Sequence, residues 1–143
     1  MKKKVALFVG VLIMLVVLDQ VSKWIFYSQE LGSELIFLEP LFNTGISRGI
    51  SMPSVISMII AIGCSLLFCF LLRKRYLTRS EVCFLLAGTI GNLIDRVFLG
   101  GVRDFIAIGG FPVFNFADVF LTIGVILVFI REIFLLTPEK KGV

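Results

Sequence analysis

Four aspartates carry most of the chemistry this sequence could do: Asp19, Asp95, Asp104 and Asp118. Three of them fall in one stretch, GNLIDRVFLGGVRDFIAIGGFPVFNFAD, which runs from Gly91 to Asp118. Two carboxyl groups brought together cannot both ionise cheaply, so one keeps a proton. The ionised member can then take a proton from water as that water attacks a peptide carbonyl. The protonated member can polarise the carbonyl and afterwards return a proton to the leaving amine. This is the chemistry of an aspartic protease. The chain has no histidine, which removes His-based triads and most zinc sites, and no metal or cofactor is expected.

The elements that must hold these acids are set by composition. Of 143 residues, 58% are hydrophobic and 17% charged, against roughly 25% charged in soluble domains, and the mean hydropathy is +1.04. The expectation is an integral membrane protein in one compact unit, since no linker or internal repeat divides the chain. Apolar segments at about 5–26, 54–72, 82–99 and 116–136 read as four spans, because about 20 helical residues cross a bilayer core. Lipid forbids unsatisfied backbone, so all four are helices. The basic start, Lys2 to Lys4, resembles a secretory signal peptide, but no small-residue cleavage site follows Leu18; a retained helix is expected. Cys64, Cys69 and Cys83 lie in apolar segments without CxxC spacing and read as packing residues.

Lys2, Lys3 and Lys4, then Arg73, Lys74, Arg75 and Arg79, then Arg131, Lys140 and Lys141 mark one side of the membrane. The other side has only Arg48 and Arg103 in its loops. Both termini are therefore expected in the cytoplasm. The net charge of +4 is explained by this topology and not by a nucleic-acid partner. With that orientation all four aspartates converge at the outer face. Ionisable groups within a span are costly and face the bundle interior or water, so they are functional candidates.

Helical spacing groups Asp19 with Lys23, and Asn92 with Asp95 and Arg96. Asn115, Asp118 and Thr122 form a third stripe. Between Gly101 and Phe114 the pattern suggests a hairpin turning at Gly109-Gly110. Pairing Ile108 with Phe111 would set Asp104 opposite Asn115, one helical turn from Asp118, although Pro112 weakens regular pairing. Asp19–Lys23 reads equally as a structural ion pair or a substrate-facing one, and Asp95–Arg96 reads as fixing a helix end. Gly88 and Gly91 read as close-packing contacts. A transporter would need a route of ionisable groups through the inward halves of the spans, and none is evident. A Ser–Lys protease built on Ser22-Lys23 suffers because neighbours on a helix point about 100° apart. A non-enzymatic scaffold has little reason to keep Asp104 and Asp118.

The ordered series Asp19-Gln20-x-Ser22-Lys23, Asn43-x-Gly45, Gly91-Asn92-Leu93-Ile94-Asp95-Arg96, Gly101-Val102-x-Asp104-Phe105 and Phe114-Asn115-x-Ala117-Asp118 resembles the motifs of lipoprotein signal peptidase, also called signal peptidase II. The resemblance covers nearly the whole chain. It implies an all-α membrane protein, a four-transmembrane-helix bundle with a small extracytoplasmic β-cradle from residues 30–51 and 101–114. It implies a monomeric aspartic endopeptidase of the bacterial inner membrane, surrounded by membrane lipids. Such enzymes cut signal peptides from diacylglyceryl-modified prolipoproteins just before the lipidated cysteine, and the antibiotic globomycin inhibits them. Asp104 and Asp118 would be the catalytic dyad. Asp19, Lys23, Asn43, Gly45, Asn92, Asp95, Arg96 and Asn115 would support the site or the substrate. One departure is visible: Arg48 stands where the family usually has an aromatic residue.

Overall fold

The computed structural model describes residues 2–28, 35–45 and 53–136. Residues 46–49, with the Arg48 departure, and Lys140 and Lys141 lie outside the described residues. Four helices are present: α1, Lys2–Ser22; α2, Ser54–Arg73; α3, Arg79–Leu99; and α4, Phe116–Leu136. A π-helical turn, Lys23–Ser28, extends α1. Two short strands, β1 (Leu38–Asn43) and β2 (Val102–Ile106), pair antiparallel.

Three of the helices are long and apolar enough to cross a membrane: Lys2–Ser28, Ser54–Arg73 and Arg79–Leu99. The fourth, α4, has 21 residues and carries Asp118, Arg131 and Glu132 along its length. Observed ends differ from the expected spans where polar residues cap a helix. α3 starts three residues before the expected 82 because Thr78 accepts from the Glu81 N–H (3.4 Å) while the Glu81 carboxylate accepts from the Thr78 N–H (2.8 Å), a reciprocal capping box. Glu81 is buried there and pairs with Arg131 of α4 at 3.2 Å, so the end of the bundle away from the aspartates is not free of charge.

The helices are arranged around α3, which packs against α1, α2 and α4. Small residues allow that approach. A Cβ on Gly88 would collide with the Ala117 carbonyl and Leu121, and one on Gly91 would lie 2.5 Å from an Asp19 carboxylate oxygen. These two glycines are therefore close-packing positions, as read. By contrast, α1 and α2 share no close backbone contact among the described residues.

The expected hairpin is corrected by the structure. A turn does form at Gly109-Gly110, with the Phe111 N–H donating to Ile108 O at 3.2 Å. Pro112 has no N–H to continue a ladder, and the next pairing is Ile106 with Phe114, one residue out of the expected register. The strand partner of β2 is instead β1, with Leu41 opposite Asp104 and Phe42 opposite Arg103. The irregularity between Leu38 and Leu41 surrounds Pro40, where a ladder bond is missing for the same reason. Phe105, 1% exposed, pins β2 to the bundle by stacking on Phe26 at 5.4 Å and meeting Phe116 edge-on at 6.0 Å.

Candidate active site

The C-terminal ends of α1 and α3, the start of α4 and strand β2 meet at one end of the bundle. The start of α4 is set by local chemistry. Asn115 precedes the first helical turn, and its Oδ1 accepts the Asp118 N–H at 3.1 Å. The Asp118 carboxylate in turn accepts the Asn115 N–H at 3.2 Å. This is a capping box with Asp in its third helical position. A third free N–H of that helix end, on Ala117, is taken by Asp19 of α1 at 2.8 Å.

Asn115 is fully buried, and its Nδ2 donates to Asp104 at 2.6 Å and to Asn92 Oδ1 at 3.1 Å. One residue thus touches both acids, Asp104 through its side chain and Asp118 through its backbone. Asp104 also accepts from Asn43 Nδ2 at 3.0 Å, and Asn43 is itself held by the Gly45 N–H at 3.0 Å. Asp118 accepts from Asn92 Nδ2 at 2.8 Å. The Lys23 ammonium donates to Asn92 Oδ1 at 3.0 Å, which fixes the orientation of that amide.

Deeper in the bundle lies a charged layer. Lys23 pairs with Asp19 at 2.8 Å and with Asp95 at 3.6 Å. Asp95 also holds Arg103 by its backbone N–H (3.0 Å), Nε (3.2 Å) and a terminal nitrogen (2.8 Å). Gln20 closes the layer, donating to Asp19 and to Gly91 O, each at 3.0 Å, and accepting from Arg103 at 3.0 Å. Asp19, Lys23 and Asp95 are each no more than 1% exposed.

Asp19, Lys23, Asn43, Gly45, Asn92, Asp95, Arg96, Asp104, Asn115 and Asp118 all lie in or beside this cluster. Arg96 is the looser one. It reaches only its own helix, donating to Asn92 O at 3.4 Å, while its charge acts on Asp118 and Asp104. Asp95 is therefore partnered by Arg103 and Lys23 and not by its neighbour Arg96. Two residues were given no role from the sequence, Gln20 and Arg103. Gln20 stands inside a quoted motif; Arg103 gave no signal beyond a topology count. Ser22 donates to Asp19 O at 2.7 Å, and the Lys23 ammonium is engaged elsewhere, so no Ser–Lys pair forms. Thr122 donates to Asp118 O at 2.8 Å and plays no part in the cluster.

Asp104, on β2 and 2% exposed, has its pKa pushed up to about 6. Burial is the larger cause and the nearby Asp118 charge the next; the two amide donors oppose them. A carboxyl poised there can hold or release a proton near neutrality.

The family model described as Signal peptidase (SPase) II matches residues 11–134. The chain belongs to the signal peptidase II family. A lipoprotein signal peptidase of Geobacillus thermodenitrificans is 36% identical over 141 residues, covering 87% of this chain and 88% of that protein. One from Rickettsia akari is 35% identical over 137 residues, covering 82% and 70%. A solved bacterial membrane enzyme superposes with a TM-score of 0.83 at 32% identity, covering 96% of this chain and 94% of that one. Signal peptidase II membership makes the chain a peptidase. Together with the apolar helices, it makes it an integral membrane protein of bacteria.

Proposed function

We propose that this peptidase removes signal peptides from diacylglyceryl-modified prolipoproteins, cutting before the lipidated cysteine, with Asp104 and Asp118 sharing one proton around a water. The observation that carries the reading is the double hold of Asn115 on both carboxylates. Charge counting supports the shared proton. Among the described residues, Asp19, Asp95, Asp104 and Asp118 share this end of the bundle with three cations, Lys23, Arg96 and Arg103. One added proton balances the set, and the raised pKa of Asp104 makes that residue its holder.

In this mechanism Asp118, ionised, takes a proton from water as the water oxygen bonds to the peptide carbonyl carbon. Asp104 donates its proton towards the carbonyl oxygen as charge develops there. When the C–N bond breaks, the proton held by Asp118 passes to the leaving amine, and Asp104 recovers its own as the carbonyl reforms. Asn92, Asn115 and Asn43 hold the acids without neutralising them. Asp19, Lys23 and Asp95 keep the three helices in register beneath the site. The Arg96 guanidinium adds positive charge beside both acids.

The reading includes four spans, with α4 as the fourth, both termini in the cytoplasm and the acids at the outer face of the inner membrane. Its test uses purified protein with a lipid-modified precursor and with the same precursor lacking the lipid. Cleavage of the first alone, blocked by globomycin, is expected. Equal cleavage of both would overturn the substrate assignment.

A further inference from the structure

At the end of the bundle away from the aspartates, α1, the α2–α3 connection and the start of α3 enclose a cavity of about 560 Å³. Its wall is divided. Val5, Phe8, Leu72 and Leu77 supply apolar lining, and Arg75, Thr78 and Arg79 supply polar lining. Neither arginine makes an ion pair among the described residues. The nearby acid, Glu81, is occupied by Arg131 and by the Thr78 N–H. The cavity thus combines two positive charges, without an acidic partner among the described residues, with apolar lining. Its lining comes from both α1 and the end of α2, two helices that pack on α3 and not on each other among the described residues.

Arg75 occupies an unusual backbone position. It follows the last turn of α2, where its N–H bonds Leu72 O at 3.1 Å and the Tyr76 N–H bonds Leu71 O at 2.9 Å. This is the Schellman ending, whose left-handed residue is ordinarily glycine. Arg75 adopts it with φ of 63°, a strained choice for a side-chain-bearing residue. A glycine would end the helix more cheaply but would put no charge on the cavity wall.

We propose that this cavity binds one anionic glycerophospholipid, with its phosphate between Arg75 and Arg79 and an acyl chain lying along Val5, Phe8 and Leu72 between α1 and α2. A general excess of loop cations would attract anionic lipid diffusely. Here the two charges line one cavity together with apolar side chains.

The test is native mass spectrometry of the full chain in neutral detergent, titrated with dioleoyl phosphatidylglycerol, dioleoyl phosphatidylcholine or inorganic phosphate. One phosphatidylglycerol should bind roughly 25-fold more tightly than phosphatidylcholine, and phosphate alone should not displace it. The Arg75→Gly/Arg79→Gln variant should lose that preference while remaining folded, because glycine suits the left-handed position. The Arg73→Gln/Lys74→Gln variant removes the same charge from residues outside the cavity wall and should keep the preference. Equal affinity for the two lipids, an equal loss in the Arg73/Lys74 variant, or displacement by phosphate alone would each overturn the proposal.

Discussion

The four aspartates divide into two pairs held in different ways. Asp19 and Asp95 are each in contact with a cation, Lys23 for the first and Arg103 with Lys23 for the second. Asp104 and Asp118 accept hydrogen bonds from the amides of Asn43, Asn92 and Asn115. A neighbouring cation favours the charged form of a carboxylate. A neutral amide holds its position and leaves its proton free to come and go. In the proposed mechanism the same residue type would therefore serve as a structural tie in one layer and as proton-exchanging chemistry in the next.

This division can be broken from either side. Removing a member of the amide-held pair, Asp104→Asn or Asp118→Asn, should lower cleavage of a lipidated precursor by about a thousand-fold, with helical content in detergent unchanged. Full activity in either variant would end the dyad assignment. Removing a member of the cation-held pair should act on stability. Arg103→Met leaves Asp95 with a weaker counter-charge, and breaking such a buried pair costs about 3–5 kcal/mol. Thermal unfolding should show that loss, with Arg103→Lys recovering part of it. If Arg103→Met unfolds like the parent, the charged layer is not the tie described here. Ser22→Ala should do least. It loses one buried hydrogen bond to Asp19 O, about 1 kcal/mol, and activity should stay within about twofold of the parent. A dead Ser22→Ala enzyme would revive the Ser–Lys alternative.

Much of this was legible in the chain. The i,i+4 spacing of Asp19 and Lys23 gave their pairing directly, and the Asn115–Asp118 stripe marked the start of α4. The residues that meet from different elements were named by their types, because polar groups in apolar segments have few places to go. Their partners were harder to read. Arg103 reaches Asp95 only because β2 folds back across the end of α3, and nothing in local spacing encodes that return. The register failed for a local reason: Pro112 interrupts the ladder that counting from Gly109-Gly110 assumed. Spacing alone hid strand β1, because its irregularity at Pro40 spoils the two-residue alternation, although the family resemblance implied a β-cradle over residues 30–51 and 101–114. The early start of α3 was missed because an apolar threshold passes over Thr78 and Glu81, whose work there is capping.

The division between the two pairs is tested most directly by infrared difference titration of the purified protein, following the protonated-carboxyl C=O band from pH 4 to 8. The account predicts a band that titrates near pH 6, is absent in Asp104→Asn and persists in Asp95→Asn. A band that survives in Asp104→Asn, or no protonated carboxyl anywhere in that range, would contradict it.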